Sequence, residues 1–466
     1  MRRLAALIAP VLLLAACSLG PDYTRPGVNA PPDFRSAMAP PTEPALGEFG
    51  WWQLYPDEAL QALIREGLAS NYDVRVAAAR ILDARSQVTI ARSFQFPEVN
   101  GSASAPYQRI KGTLGPLQAK ETFTPSGGFD FGYEFDFWGR FRRGTEAARA
   151  DLLATDAARR FVMTTLVSDL ASAYFSLRAL DEELIIARRT LDSRTQSLQL
   201  VKLREEGGVA GLIDVRQSEI LVAAAAQTVP DIERQIEQTE NAISVLVGRS
   251  PAPVPRGRDL QAQIAATSLP AGVPSSLLER RPDIQQAEQI LAGATARIGV
   301  AKTDYFPRVF LSGAVGAGGF MVNGQMFGPQ GIFSVLPSFT VPIFNTGRTG
   351  AGVDAARARA DEAMLQYQQT IINAFRDVSD SLVEYRKQRE FRTQQEALVV
   401  AAIDTTRLAN LRYTNGVSPY LEVLDSERQQ FDAELGLVRV QLSEMLAVVR
   451  LYKALGGGWQ PEARAQ

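Results

Sequence analysis

The sequence predicts a membrane α+β protein that combines strands of a transmembrane β-barrel with long α-helical coiled-coil hairpins, encoded as an internal tandem repeat. Three observations carry this. In FDFGYEFDFWG, Phe129, Phe131, Tyr133, Phe135 and Phe137 alternate with Asp130, Gly132, Glu134 and Asp136, so a β-strand here is aromatic on one face and acidic or bare on the other. Neither glycine nor proline occurs from Thr145 to Glu206 or from Val353 to Asn415, runs of 62 and 63 residues. Each reaches roughly 95 Å as a helix, longer than any single-domain core, and so demands coiled-coil packing. Finally, a shift of 208 carries Gly139-Arg140 onto Gly347-Arg348, Gly208-Val209 onto Gly416-Val417, Ser218-Glu219 onto Ser426-Glu427 and Gly248 onto Gly456. Upstream the shift is 210, matching Asp73 to Asp283 and Phe96-Pro97 to Phe306-Pro307, which reads as a tandem duplication.

Composition narrows the chemistry. The chain has 466 residues, 46% hydrophobic and 21% charged, which argues against disorder and against a multi-span helical membrane protein. A formal charge of −2 leaves no footprint for nucleic acid. There is no histidine and only one cysteine, so Ser-His-Asp catalysis, His-based or Cys-cluster metal sites and internal disulfides are all excluded. No catalytic residue, metal or cofactor is expected. SGAVGAGGF, around Gly313–Gly319, resembles a dinucleotide loop but is followed by neither an amphipathic helix nor a suitably placed acid; it reads as a small-residue lumen face and an extracellular turn.

The elements follow in order. Residues 1–16 read as a signal peptide: Arg2 and Arg3, an apolar core from Leu4 to Leu14, then Ala15-Ala16. Leu14-Ala15-Ala16-Cys17 resembles a bacterial lipobox, making Cys17 the lipidated mature N-terminus; Ser18, not an aspartate, follows it, favouring the outer membrane. Acyl chains at roughly 0.8 kcal/mol per CH₂ supply the anchor. Residues 17–50 form a proline-rich tether, and Trp51-Trp52 begins ordered structure. Repeat 1 covers 51–250, with strands at about 99–110 and 127–137 and a helical hairpin over 142–247. A linker spans 251–270. Repeat 2 covers 271–458, with strands at about 308–318 and 332–343 and a hairpin over 349–456. Residues 459–466 form a tail. Leu170, Leu177, Leu184, Leu191 and Leu198 recur every seven residues, with Leu166, Ala173, Leu180 and Ala187 as companions. Phe375, Val378, Leu382 and Tyr385 mark the second hairpin.

Each strand run has close to the length a tilted membrane strand needs, about 9–11 residues. The aromatic face, Phe129, Phe131, Tyr133, Phe135 and Phe137, then meets lipid, and Asp130, Glu134 and Asp136 face water inside the barrel. Four strands cannot close such a barrel, and open edges are not tolerated in lipid. Three protomers supply twelve strands, a plausible pore.

The lipobox, the proline-rich start, the two strand–strand–hairpin repeats, RYTNGVSPYLEVLDSERQQF and LYKALGGGW together resemble the TolC-like outer membrane factors, and within them the OprM branch of efflux lipoproteins. The resemblance covers essentially the whole mature chain. It implies a homotrimer with a twelve-stranded barrel in the outer membrane of a Gram-negative bacterium and a helical barrel crossing the periplasm. Such a protein is the exit duct of a tripartite efflux system and not an enzyme. Its partners would be a periplasmic adaptor (membrane fusion protein), an inner-membrane transporter of the RND type, and outer membrane lipid. A type I secretion duct is one alternative; a periplasmic lipoprotein adaptor is another, although no lipoyl-type insertion is visible.

In this family the hairpin tips form the periplasmic gate. Tyr413, Asp425 and Arg428 match residues that hold the tip closed, and Asp214 stands where relatives carry another gate-linked acid. Leu421, Asp425 and Arg428 share one helix face by spacing. Threefold symmetry would make Asp425, and Glu422 beside it, rings of carboxylate that favour cations. The turns Gly208-Val209 and Gly416-Val417 are where adaptors would dock, and their glycines also suit helix C-caps.

Overall fold

The computed structural model describes residues 18–28, 31–35, 46–109, 121–263, 277–322 and 324–459. The signal peptide, Cys17 and the tail beyond Trp459 lie outside them. The helices are α1 (Trp51–Leu54), α2 (Glu58–Ser70), α3 (Tyr72–Ser93), α4 (Arg140–Glu206), α5 (Leu212–Val247), α6 (Leu260–Gln263), α7 (Leu277–Arg280), α8 (Pro282–Thr303), α9 (Arg348–Thr414) and α10 (Tyr420–Ala454). The strands are β1 (Glu98–Ser104), β2 (Tyr107–Arg109), β3 (Glu121–Phe123), β4 (Ser126–Phe135), β5 (Arg308–Val322) and β6 (Gln325–Thr340). Element starts recur at the spacing read from the sequence. α3 and α8 are both 22 residues long and begin 210 apart; α4 and α9 are both 67 residues long and begin 208 apart. None of the described helices is long and apolar enough to cross a membrane. Pro230 lies inside α5, where it removes one backbone donor from the helix; position 438, its repeat counterpart, is valine.

The chain divides into two compact units. The first holds residues 80–156 and 286–367 with the described N-terminal residues up to Gly27. Its sheet is antiparallel. β4 pairs with β1 on one side and β5 on the other, and β6 pairs with β5. β2 and β3 pair with each other, and β3 continues onto β5. Pro106 separates β1 from β2, and its carbonyl accepts from Thr124 N at 3.0 Å. Among the described residues the sheet therefore consists of four strand runs, 98–109, 121–135, 308–322 and 325–340, with two open edges. Every residue of β6 is exposed in the single chain.

Three strand expectations need correction. The first run breaks at Pro106, and Ile110, its expected end, lies outside the described residues. The aromatic strand ends at Phe135, so Asp136 and Phe137 lie off the strand. The Asp136 carboxylate instead accepts from Phe141 N at 3.1 Å and Arg142 N at 3.0 Å, covering donors that the start of α4 leaves open. The second hairpin is longer than expected: β5 continues past its expected end near residue 318 to Val322, so all of Gly313–Gly319 lies within the strand and the turn comes later. The reason for glycine there is close approach to β4. A Cβ on Gly313 would stand 2.3 Å from Phe131 Cε1, and one on Gly316 would stand 2.5 Å from the Gly127 carbonyl oxygen. The hairpin turns at Gly324, whose φ is +87°.

The described start of the tether is fastened rather than free. Leu19 N donates to the Trp138 carbonyl at 3.1 Å. Arg143 donates to the Leu19 carbonyl and pairs with Asp22 at 2.6 Å. Arg25 forks onto Glu288 at 2.8 and 2.7 Å, and Tyr23 donates to the same carboxylate.

The second unit holds residues 28–79, 157–285 and 368–466. Its core gathers Trp51, Tyr55, Leu60, Ile64, Leu170, Tyr174, Phe175, Leu177, Ile243 and Tyr452, all fully buried or nearly so. Around this core the contact side of α4 is wider than a coiled-coil seam. Leu170 and Leu177 are buried as the heptad expects, but Leu184, Leu191 and Leu198 are only half-buried, while Tyr174 and Phe175 are completely enclosed. A straight helix drifts about 20° per heptad from a seven-residue seam, and Tyr55 reaches the shifted face, its ring 5.9 Å from Phe175 and 6.1 Å from Tyr452. Asp57 is fully buried. It caps α2 through Ala59 N and Leu60 N and also accepts from Tyr174 Oη, Arg258 N and Gln263 Nε2, pinning the start of the linker.

Candidate functional site

The candidate site is the pair of hairpin tips, both within the second unit. Each turn follows from one glycine. Gly208 and Gly416 have φ of +74° and +72°, and a Cβ on either would meet nothing within 4 Å, so backbone conformation alone selects glycine. Val209 N bonds the Arg204 carbonyl and Val417 N the Arg412 carbonyl, both at 2.9 Å, while the glycine N–H groups bond three residues back. This is a Schellman closure at both tips. Val209 and Val417 stand about two-thirds exposed beyond them. α5 then begins with Asp214 accepting from Gly211 N at 3.1 Å, and α10 begins after Pro419.

Beneath the turns, all four helices contribute to one small core: Val201 of α4, Val215 of α5, Ala409 and Tyr413 of α9, and Tyr420, Val423 and Leu424 of α10. The Tyr413 and Tyr420 rings lie 4.9 Å apart. The Arg204 guanidinium stands 4.3 Å from the Tyr413 ring centroid, a favourable cation–π distance. Ser218 Oγ donates to Tyr420 Oη at 2.9 Å. Burial pushes the Tyr420 hydroxyl up to about 12, and burial likewise raises Tyr413, with the Asp214 charge adding to both. The Tyr413 hydroxyl meets no partner among the described residues.

The predicted gate residues thus divide into two groups. Tyr413 is buried between helices of its own chain, with Asp214 close enough to act on it. Leu421, Asp425 and Arg428 share an outward face of α10. Leu421 is exposed, Arg428 donates to Asp425 at 2.7 Å, and Gln429 donates to the same carboxylate. Glu422 pairs with Arg412 at 3.4 Å. Sequence reasoning missed Arg204, Ser218, Tyr420 and Glu427. The pairing of Ser218-Glu219 with Ser426-Glu427 across the repeat was the available signal, but it did not say which copy is buried.

In the first unit, Phe129 is the most exposed ring of the aromatic strand, Phe131 and Tyr133 are half-buried, and Phe135 stacks on Phe137 at 5.6 Å. Trp138 follows, its ring 4.7 Å from Phe306 and its indole N–H on the Pro307 carbonyl at 2.8 Å. No cluster of metal-ligating side chains occurs among the described residues.

Two stretches of the chain, residues 63–249 and 273–457, match the family model for outer membrane efflux protein. The chain belongs to the outer membrane efflux protein family. Relatives agree along the full length. A probable efflux pump outer membrane protein, TtgC of Pseudomonas putida, is 35% identical over 98% of this chain and 96% of its own. The cation efflux system protein CusC of Escherichia coli is 31% identical over 96% and 97%. Among solved structures, the outer-membrane channel OprN superposes with a TM-score of 0.87 at 32% identity, covering 96% of this chain and all of that one. The open state of the MtrE outer membrane channel of Neisseria gonorrhoeae gives 0.85 at 31% identity, covering 95% and 99%. This efflux protein is therefore an outer membrane export duct of a Gram-negative bacterium, in a family of transport proteins.

Proposed function

We propose that this duct works as a homotrimer whose three four-run sheets close one twelve-stranded barrel, with the long helical hairpins forming its periplasmic wall. The observation that carries this reading is the sheet itself: four strand runs, two unpaired edges, and β6 exposed along its whole length. Unpaired backbone groups at an edge are costly in lipid, and pairing with further copies satisfies them. The aromatic residues of β4 face lipid, and Cys17 carries the covalent lipid. A periplasmic adaptor docks at the exposed Val209 and Val417 turns, and an inner-membrane transporter of the RND type loads the duct. The exported cargo is drugs or other small molecules. Passage is controlled at the tips, where Leu421, Asp425 and Arg428 line the axis, Glu422 adds a second acid, and Tyr413 and Asp214 set the turn behind them.

The test is heat-modifiable migration of the detergent-extracted protein together with drug susceptibility of cells lacking it. A trimer that dissociates only on heating, and sensitivity restored to wild type by the intact gene, are expected. A monomer in mild detergent would overturn the barrel reading.

A further inference from the structure

The duplication placed one glutamate in two unlike settings. Glu219 of α5 is solvated and paired with Arg216 at 2.7 Å and with Lys202. Its counterpart Glu427, on α10 between Asp425 and Arg428, turns inward. One carboxylate oxygen accepts from Ser197 Oγ of α4 at 3.3 Å; the other, Oε2, is buried with no partner among the described residues. The Arg194 charge acts on this carboxylate, but no hydrogen bond or ion pair joins the two. Arg194 is 4% exposed, donates to the Leu221 carbonyl of α5 at 3.2 Å, lies over the Phe431 ring, and leaves its own Nε buried and unpaired. Arg194 and Glu427 line the same partly open pocket of about 200 Å³, together with Arg189, Thr406 and Asn410 of α9, and Phe431.

We infer that Glu427 is a proton-linked positioning residue for the periplasmic tip: neutral, it keeps α10 packed on α4; ionised, it loosens the helical turn that carries Asp425 and Arg428. The inference rests on the gate reading and adds its regulation. A buried carboxylate with an empty lone pair is tolerated when protonated and costly when charged. Relief on ionisation comes from drawing water onto the carboxylate, which parts α10 from α4. The other groups facing this point are few. From α4 come Arg194 and Arg189, the latter paired with Glu434. α9 contributes no charge to the cavity wall, and neither does α5, whose Asp214 acts on Tyr413 and Tyr420 instead. On α10 itself, Tyr420 feels Glu427, and Asp432 acts on Arg194. Burial raises the Glu427 carboxyl above its ordinary value, while Ser197 and Arg194 oppose the shift. A raised value means the packed state is favoured in acid and weakens as pH rises through the titration.

The experiment is conductance of the purified full-length protein in planar bilayers from about pH 5 to 8, with the open-to-closed ratio changing by at most about tenfold per pH unit for each proton released, hence up to about a thousandfold if three protomers open together. Wild type should open as pH rises. Glu427→Gln should stay at the acid-limiting conductance at every pH, and Ser197→Ala should move the midpoint upward by about one unit. A Glu427→Gln profile matching wild type, or an unmoved midpoint in Ser197→Ala, overturns the inference; if Glu427→Gln does not assemble, the Ser197→Ala midpoint decides. Asp425→Ala in parallel separates the two readings. If it leaves conductance unchanged while Glu427→Gln flattens the profile, the gate assignment falls and the proton link stands.

Discussion

The Arg204 guanidinium lies over the Tyr413 ring, 4.3 Å from its centroid, and the same arginine donates to the Tyr413 carbonyl at 3.4 Å. The end of the first long helix thereby holds the end of the second. Arg204→Ala should lower the thermal stability of the helical region by about 1 kcal/mol, the scale of a partly desolvated cation–π contact. Arg204→Lys should lose less. Melting curves followed by circular dichroism would read both.

Tyr413→Phe keeps that ring and removes a hydroxyl with no partner among the described residues. It should be neutral to within about 0.5 kcal/mol. Combined with Arg428→Ser, which breaks the pair with Asp425, it should raise single-channel conductance and admit bulky antibiotics into cells. Wild-type conductance in a folded double mutant would mean that these side chains do not latch the tip. Asp425→Ala should separately weaken cation selectivity, measured as a reversal potential under a salt gradient.

Asp57 accepts five hydrogen bonds while fully buried. Asp57→Ala should destabilise the second unit by about 3 kcal/mol or more, since several buried donors lose their partner at once. Asp57→Asn should also be damaging because it sets a donor among donors. Limited proteolysis near residues 254–263 would report the release of the linker.

Gly416→Ala and Gly208→Ala place a Cβ in open space but at positive φ, so their cost is conformational, about 1–2 kcal/mol each. Gly416→Asn should cost less. If the alanine variants melt like wild type, the Schellman closures are not needed for the turns.

Phe131→Arg should reduce trimer yield, because a charge against hydrocarbon near the midplane costs about 2–4 kcal/mol. Asp130→Arg, on the opposite face of the same strand, should leave the yield unchanged. The opposite order, on semi-native gels, would put the aromatic face inward.

Helix boundaries were legible because glycine-free runs and the 208-residue shift are properties of the chain alone, and α4 and α9 start within two residues of their expected places. The end of the aromatic strand was not legible. Asp136 continues the alternation of Asp130 and Glu134, and only the folded backbone shows its carboxylate turned onto Phe141 N and Arg142 N. The small-residue face of β5 was legible, but not its cause or its full length, because a sequence does not show that Phe131 needs the space above Gly313. At the tips, spacing placed Leu421, Asp425 and Arg428 on one face. It did not place Arg204 against Tyr413, a contact between residues 209 positions apart.

The open edges of the sheet also set the kinetics of its own production. A chain that has folded its helices still carries one unpaired row along β1 and another along β6. For a barrel closed by three copies, insertion is a reaction among chains, so its rate climbs steeply with the supply of newly secreted protein. At low supply each copy waits with adhesive edges exposed. Halving expression should therefore remove more than half of the functional ducts.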